Sequence, residues 1–279
     1  MRRFKLAVCQ MIVTDDKKKN IEKAEQMIKT ASREGADLVI LPEMFNCPYL
    51  NSFFPLFAES FPNGETVQML SKVAEEEKIY LIGGSIPEKD GEDIYNTSFV
   101  FDREGKVIGK HRKIHLFDVD LDTGLSFHES DTLSSGSSLT VVDTELCRVG
   151  VAICYDMRFP ELFRLYALKE ADMIVVPGAF NMTTGPAHWE ALLRIRAVDN
   201  QVYMVGASPA RDYSAGYVAY GNSLVVEPWG NLIAKADESE TIIYADIDLD
   251  RINKVRNELP LLKHLRTDLY EIRQKGLSK

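Results

Sequence analysis

Asp37-Leu-Val-Ile-Leu-Pro-Glu43 is the stretch that decides the fold. Its apolar run, Leu38 to Leu41, is short and unbroken, and it stops at a proline and a carboxylate. A run of this kind is a strand buried on both faces, as in parallel sheets covered by helices. Just before it, Ile21, Ala24, Ile28 and Ala31 fall on one helical face, and Gly35 is placed to cap that helix. Earlier still, Phe4 to Val13 reads as a first strand. Strand, helix and buried strand in succession point to an α/β fold.

The alternation continues downstream. A second helix is expected from about Glu65 to Glu77, then a strand from Ile79 to Ile86. Ile94 to Asp102 and Lys106 to Lys110 read as a hairpin around Asp102-Arg-Glu-Gly105. A long polar loop spans roughly His115 to Ser138, and loops of that length inside a domain are often functional. Leu139 to Val142 and Arg148 to Ile153 are strands, with a helix from about Pro160 to Lys169. Asp172 to Val176 is another buried strand, and Pro186 suits the first turn of a helix that reaches Asn200. Val202 to Ala207, Ser223 to Val226 and Thr241 to Ile247 complete the strands, with a turn at Pro228-Trp-Gly-Asn231 and a helical tail. There is no low-complexity linker or short-period repeat, so residues 1–279 are expected to form a single domain.

The composition narrows the function. The 279 residues are 45% hydrophobic and 27% charged, ordinary values for a globular protein with a full core. The net charge of -9 argues against nucleic acid as a partner, because such proteins present a basic face. The four cysteines, Cys9, Cys47, Cys147 and Cys154, show no CxxC spacing, which speaks against a zinc ribbon or a thioredoxin-type motif. Met1-Arg2-Arg3 before Leu6-Ala-Val-Cys9 resembles a signal peptide only faintly, since Gln10 and the charges from Asp15 to Lys19 break it. No apolar run approaches membrane-spanning length. The expected compartment is the cytoplasm, with no membrane partner.

Three buried-strand runs end in residues able to do chemistry: Leu41-Pro-Glu43, Ile153-Cys-Tyr-Asp156 and Val176-Pro-Gly178. Sites in α/β sheets gather beyond the carboxyl ends of strands, so Glu43 and Cys154 are expected to face one crevice. Cys154 sits between a strand and a helix, like a nucleophile elbow, with the Tyr155 N–H placed to meet an oxyanion. A thiol needs a base or a cation beside it. Glu43 is one candidate base, and Lys113, in Lys110-His-Arg-Lys113, is a candidate cation. His115 and His188 are rival bases of thiol-protease type, and spacing does not choose among them.

Three motifs in order then carry a resemblance. Leu41-Pro-Glu43, His111-Arg-Lys113 and Val151-Ala-Ile-Cys154-Tyr-Asp-Met-Arg158-Phe-Pro-Glu161 resemble the glutamate, lysine and cysteine motifs of the nitrilase superfamily of carbon–nitrogen hydrolases. The likeness covers essentially the whole chain. Gly178-Ala-Phe-Asn-Met-Thr-Thr-Gly-Pro-Ala-His-Trp189, Ala197-Val-Asp-Asn-Gln201 and Ala207-Ser-Pro-Ala-Arg-Asp212 resemble its omega-amidase branch. So do Leu259-Pro-Leu-Leu-Lys263 and Arg266-Thr-Asp-Leu-Tyr270.

The resemblance implies a four-layer αββα sandwich, usually dimeric, working without metal or organic cofactor. It assigns Cys154 as nucleophile, Glu43 as general base and Lys113 as stabiliser of the tetrahedral intermediate. Glu129 is implied as a second glutamate that orients Lys113 or the amide. The implied substrates are amides of small 2-oxo acids, such as 2-oxoglutaramate and 2-oxosuccinamate. Their distal carboxylate calls for a cation, for which Arg158 and Arg211 are the candidates. Thr183 and Thr184 are candidate donors to the substrate, the Tyr155 N–H a candidate oxyanion donor, and Tyr49 and Phe180 candidate walls. A deaminated-glutathione amidase, another aliphatic amidase and a catalytically silent binding protein on the same fold are the competing readings.

Overall fold

The computed structural model describes residues 3–122 and 126–275. In chain order its strands are β1 (Arg3–Gln10), β2 (Leu38–Ile40), β3 (Glu59–Ser60), β4 (Tyr80–Ile82), β5 (Ile86–Asp90), β6 (Asp93–Phe101), β7 (Val107–Arg112) and β8 (Asp118–Asp120). They continue as β9 (Ser126–His128), β10 (Thr140–Asp143), β11 (Arg148–Val151), β12 (Met173–Pro177), β13 (Tyr203–Ala207), β14 (Leu224–Val226), β15 (Leu232–Lys235) and β16 (Thr241–Asp248). The α-helices are α1 (Lys17–Arg33), α2 (Phe54–Phe57), α3 (Glu65–Glu77), α4 (Pro160–Leu168), α5 (Gly185–Asn200) and α6 (Asp250–Glu258).

One sheet runs β16-β1-β2-β4-β6-β5-β3, with β7 on the other edge of β6. The second runs β10-β11-β12-β13-β14-β15. The two sheets pack face to face. Leu6, Val8, Leu38, Ile40 and Ile82 of the first meet Val149, Val151, Met173, Val175 and Val205 of the second. Helices α1 and α3 cover the outer face of the first sheet through Ala24, Ile28, Val67 and Leu70. Helices α4 and α5 cover the second through Leu162, Phe163, Trp189 and Leu193. The layers are therefore αββα. Strands β2 and β12 are wholly buried because each has parallel neighbours in its sheet and apolar layers on both faces.

Helix α1 forms where the apolar spacing placed it. The Asp16 side chain accepts from the Lys19 N–H at 3.1 Å, and Gly35 follows the last turn at a φ of 84°.

Several boundaries differ from the expectation. β1 ends at Gln10 rather than Val13, because Gln10 turns its amide to the 237–239 segment and Ile12 bonds the Glu240 side chain. The single strand expected over Ile79–Ile86 is two, β4 and β5, bent at Gly83-Gly84-Ser85. Gly84 has a φ of 53°, and a Cβ there would lie 2.1 Å from the Pro42 carbonyl oxygen. Ser85 N–H donates to that carbonyl, and the Met44 N–H donates to Ser85 Oγ, so the bend grips the turn that carries Glu43. The loop expected over His115–Ser138 contains the β8–β9 ribbon and a buried Glu129, its residues 123–125 lying outside those described. Met1 and Arg2, part of the N-terminal reading, also lie outside. β15 and the short α2 lacked a clear periodic signal. β15 pairs with β14 across the Pro228–Asn231 turn.

Candidate active site

Glu43 follows β2 in the first sheet, and Cys154 follows β11 in the second. They meet across the sandwich, at the carboxyl ends of strands from two sheets rather than in the crevice of one. Lys113 follows β7, and Glu129 opens the 3-10 turn after β9. Glu43, Lys113 and Glu129 are fully buried, and Cys154 is 5% exposed.

The three charges form one network. Lys113 Nζ donates to Glu43 Oε1 at 3.1 Å, to Glu129 Oε1 at 2.9 Å and to the Tyr49 hydroxyl at 3.2 Å. Glu43 Oε1 also accepts from the Asn96 amide at 2.9 Å, and Oε2 accepts from the Ala179 N–H at 2.6 Å. Glu129 accepts from the Tyr49 hydroxyl at 2.6 Å and from the Phe117 N–H at 2.7 Å. The Cys154 thiol lies beside the Glu43 carboxylate, close enough for each to shift the other's ionisation. Burial raises the Glu43 carboxyl; Lys113 pulls it back, and Glu129 raises it further. Burial also raises the Cys154 thiol well above its usual range, and the neighbouring Glu43 charge reinforces this. Burial opposes the charge on Lys113, yet Glu129 and Glu43 hold its ammonium well above the ordinary lysine range.

Cys154 has a φ of 46°, a left-handed backbone uncommon for a residue with a side chain. Gly178 lets the chain pass close by: a Cβ there would lie 3.3 Å from Cys154 Cα and 2.9 Å from the Trp189 ring. The Cys154–Arg158 segment is a 3-10 turn, whose first N–H groups have no partner within the turn. Arg196 of α5 reaches the end of this turn and donates to the Met157 carbonyl at 3.1 Å.

A recess of about 200 Å³ opens at Cys154, lined by Phe117, Tyr155, Arg158, Phe180, Thr184 and Tyr217 among others. Arg158 lies over the Phe180 ring at 4.9 Å and bonds His188 Nδ1 at 3.1 Å. Among the described residues, no group of metal-ligating side chains is gathered.

The sequence of the carbon-nitrogen hydrolase family, taken as a whole, matches residues 5–257. The chain belongs to the carbon-nitrogen hydrolases. As a member it is an enzyme that hydrolyses carbon–nitrogen bonds. It is 52% identical to the omega-amidase NIT2 of Mus musculus over 275 residues, 99% of each chain. It is 54% identical to the omega-amidase NIT2-B of Xenopus laevis, again over 99% of each. Saccharomyces cerevisiae Nit3, a member of branch 10 of the nitrilase superfamily, superposes with a TM-score of 0.88 at 45% identity, covering 95% of this chain and 97% of that one.

The carbon-nitrogen hydrolase fold thus brings together Glu43, Lys113, Glu129, Cys154 and Tyr49, and sets Tyr155, Arg158, Phe180 and Thr184 around the recess. Tyr49 lines a neighbouring cavity with Glu43, Ala179 and Tyr217, and presents its hydroxyl to Lys113 and Glu129. Arg211 is not among the recess residues. Its segment folds back after β13, and its guanidinium donates to the Tyr220 carbonyl at 2.8 Å and the Tyr213 hydroxyl at 3.0 Å. Thr183 and Thr184 turn their N–H groups to the Asn181 side chain at the start of α5. The rival histidines point elsewhere, His115 to Asp156 and His188 to Arg158.

Sequence reading missed Asn96, Tyr217, Asp156 and Arg196. Tyr217, whose hydroxyl donates to the Ala179 carbonyl at 2.7 Å, gave no signal. Asp156 gave one: a carboxylate just past Ile153-Cys154, in a stretch reading as buried, needs partners.

Proposed function

We propose that the protein is an omega-amidase, hydrolysing the side-chain amide of small 2-oxo dicarboxylic acid monoamides such as 2-oxoglutaramate and 2-oxosuccinamate. The observation that carries the chemistry is the buried Glu43–Lys113–Glu129 network meeting the Cys154 thiol. The curated relatives named omega-amidase, alike over nearly their whole length, support the substrate class.

In this reading Cys154 is the nucleophile. Its raised thiol rests protonated, so Glu43 takes the proton as sulfur attacks the amide carbon. Lys113 and the Tyr155 N–H stabilise the oxyanion of the tetrahedral intermediate. Glu43 returns the proton to the departing nitrogen, ammonia leaves, and a thioester remains. Glu43 then draws a proton from water as its oxygen attacks the thioester carbon, and hands that proton to the Cys154 sulfur as the carbon–sulfur bond breaks, releasing the 2-oxo acid and restoring the thiol and the carboxylate. Glu129 and Tyr49 fix Lys113, whose ammonium acts as a permanent charge.

The recess fits an acyl group ending in a carboxylate. Arg158 and the amino-terminal end of α5 both favour an anion there, while Thr184 lines the recess with its N–H and hydroxyl both turned to the Asn181 side chain. Arg211 is assigned no part in binding.

The chain acts as a single carbon-nitrogen hydrolase domain and pairs as a homodimer. Support for pairing comes from Ile195, Val198, Trp229 and Leu259, exposed around the outer face of α5 and its far end. No helix among the described residues is long and apolar enough to cross a membrane, and cytoplasmic residence is part of this reading.

Ammonia release from 2-oxoglutaramate, 2-oxosuccinamate and deaminated glutathione, with Cys154→Ala as control, tests the proposal. Fastest release from the 2-oxo amides, lost in the variant, supports it. A preference for deaminated glutathione would keep the chemistry and overturn the substrate.

A further inference from the structure

Asp156 is a fully buried carboxylate that touches neither the recess nor Lys113. Its Oδ2 accepts from the Ile153 N–H at 3.0 Å and lies 3.4 Å from His111 Nε2. Its Oδ1 accepts from the His115 N–H at 2.9 Å and lies 2.7 Å from His115 Nδ1. A carboxylate only accepts, so each facing imidazole nitrogen carries its proton toward Asp156.

The placement of these partners is what matters. His111 and His115 stand two residues either side of Lys113, on the segment that leaves the first sheet. Ile153 and Asp156 bracket Cys154, on the turn that leaves the second. One carboxylate therefore joins the lysine-bearing segment to the cysteine-bearing turn. The join is braced: His111 Nδ1 lies 3.2 Å from Thr140 Oγ1, and the His115 ring stacks on Phe159 at 3.6 Å. Burial works against the Asp156 charge, but the bonds from His111 and His115 outweigh it and hold the carboxyl well below the usual range.

We propose that Asp156, through its bonds to Ile153, His111 and His115, is a positioning residue that sets the Cys154 sulfur against Lys113 and Glu43 across the two sheets. This rests on the assignment of Cys154 as nucleophile. The left-handed turn at Cys154 has no preference of its own to hold the sulfur there, so the bonds on either side of it must. Displacing a reacting group by about 1 Å costs on the order of 100-fold in rate.

The test compares wild type, Asp156→Asn, His115→Phe and His115→Asn, with Cys154→Ala as blank. For each, kcat and KM for ammonia release from 2-oxoglutaramate are measured per titrated active site, together with the rate of Cys154 alkylation by chloroacetamide. Asp156→Asn puts an amide N–H₂ against N–H donors. Its kcat is expected to fall on the order of 10–100-fold with KM within about threefold, and alkylation to slow in parallel. His115→Asn keeps an N–H near the Nδ1 position, so it should restore most of the rate lost in His115→Phe. Unchanged kcat per titrated site, a loss confined to KM, or equal rates in the two His115 variants would each overturn the proposal. If Asp156→Asn does not fold, the two His115 variants still decide it. If the wild type releases no ammonia from any amide, the functional reading fails, and the alkylation rates still decide the positioning role.

Discussion

The Cys154 thiol lies where its own ionisation is opposed, by burial and by the Glu43 charge beside it. The working state of the site is therefore a neutral thiol beside an ionised carboxylate, with proton transfer and attack in one step. The pH dependence follows. Glu43 must be ionised to act, and its carboxyl is raised above the ordinary 4.5, mainly by burial. As pH falls, activity should be lost through an apparent pKa above that value. A kcat/KM profile with its acid limb at or below 4.5 would contradict the assignment of Glu43. In the recess, Arg158→Ala should lower kcat/KM for 2-oxoglutaramate on the order of 10–100-fold, the worth of a charge-assisted bond. A neutral short amide should lose far less. Equal losses for both, in parallel steady-state assays, would remove Arg158 from carboxylate binding.

At the scale of elements, each reacting group leaves the end of a strand and is gripped by a neighbouring element. The bend between β4 and β5 grips the Glu43 turn, and α5 grips the Cys154 turn through Arg196. Gly84 makes the first grip possible. Left-handed backbone alone costs a side-chain-bearing residue about 1–2 kcal/mol, before the clash with the Pro42 carbonyl is counted. Gly84→Ala should thus lower the melting temperature by several degrees and reduce kcat, read by calorimetry and by ammonia release. An unchanged melting temperature would show that the bend carries no strain. The bend also explains why one strand was expected here: Ile79 to Ile86 is apolar at both ends, and only Gly83-Gly84 marks the break. Buried strands and α1 were legible because each carries its own period and its own stop. The β8–β9 ribbon was not, because its three-residue strands are too short to show a period and Phe127 finds its packing against Tyr49 and Tyr217 from distant parts of the chain.

At the scale of the whole molecule, the site exists only because two sheets stack with their strand ends in register. The motifs around Glu43, Lys113 and Cys154 were legible as chemistry, but nothing local to them says that Glu43 and Cys154 belong to different sheets. Asp156 shows the same gap. Its buried charge was readable, whereas its partners lie on a segment that only tertiary packing brings near. The outer face of α5 makes a prediction at this scale. Ile195→Glu with Val198→Glu should convert a particle of twice the chain mass into one of single mass, measured by sedimentation equilibrium. A wild-type chain of single mass at micromolar concentration would remove the dimer.

The central claim, that amide hydrolysis passes through a thioester on Cys154, is tested most directly by intact-protein mass spectrometry after rapid acid quench with 2-oxoglutaramate. The predicted result is an adduct with the mass of the substrate less ammonia, mapped to the Cys154 peptide and absent from an inactive Cys154→Ala. Turnover that persists in Cys154→Ala, with no adduct on the wild type, would contradict the account.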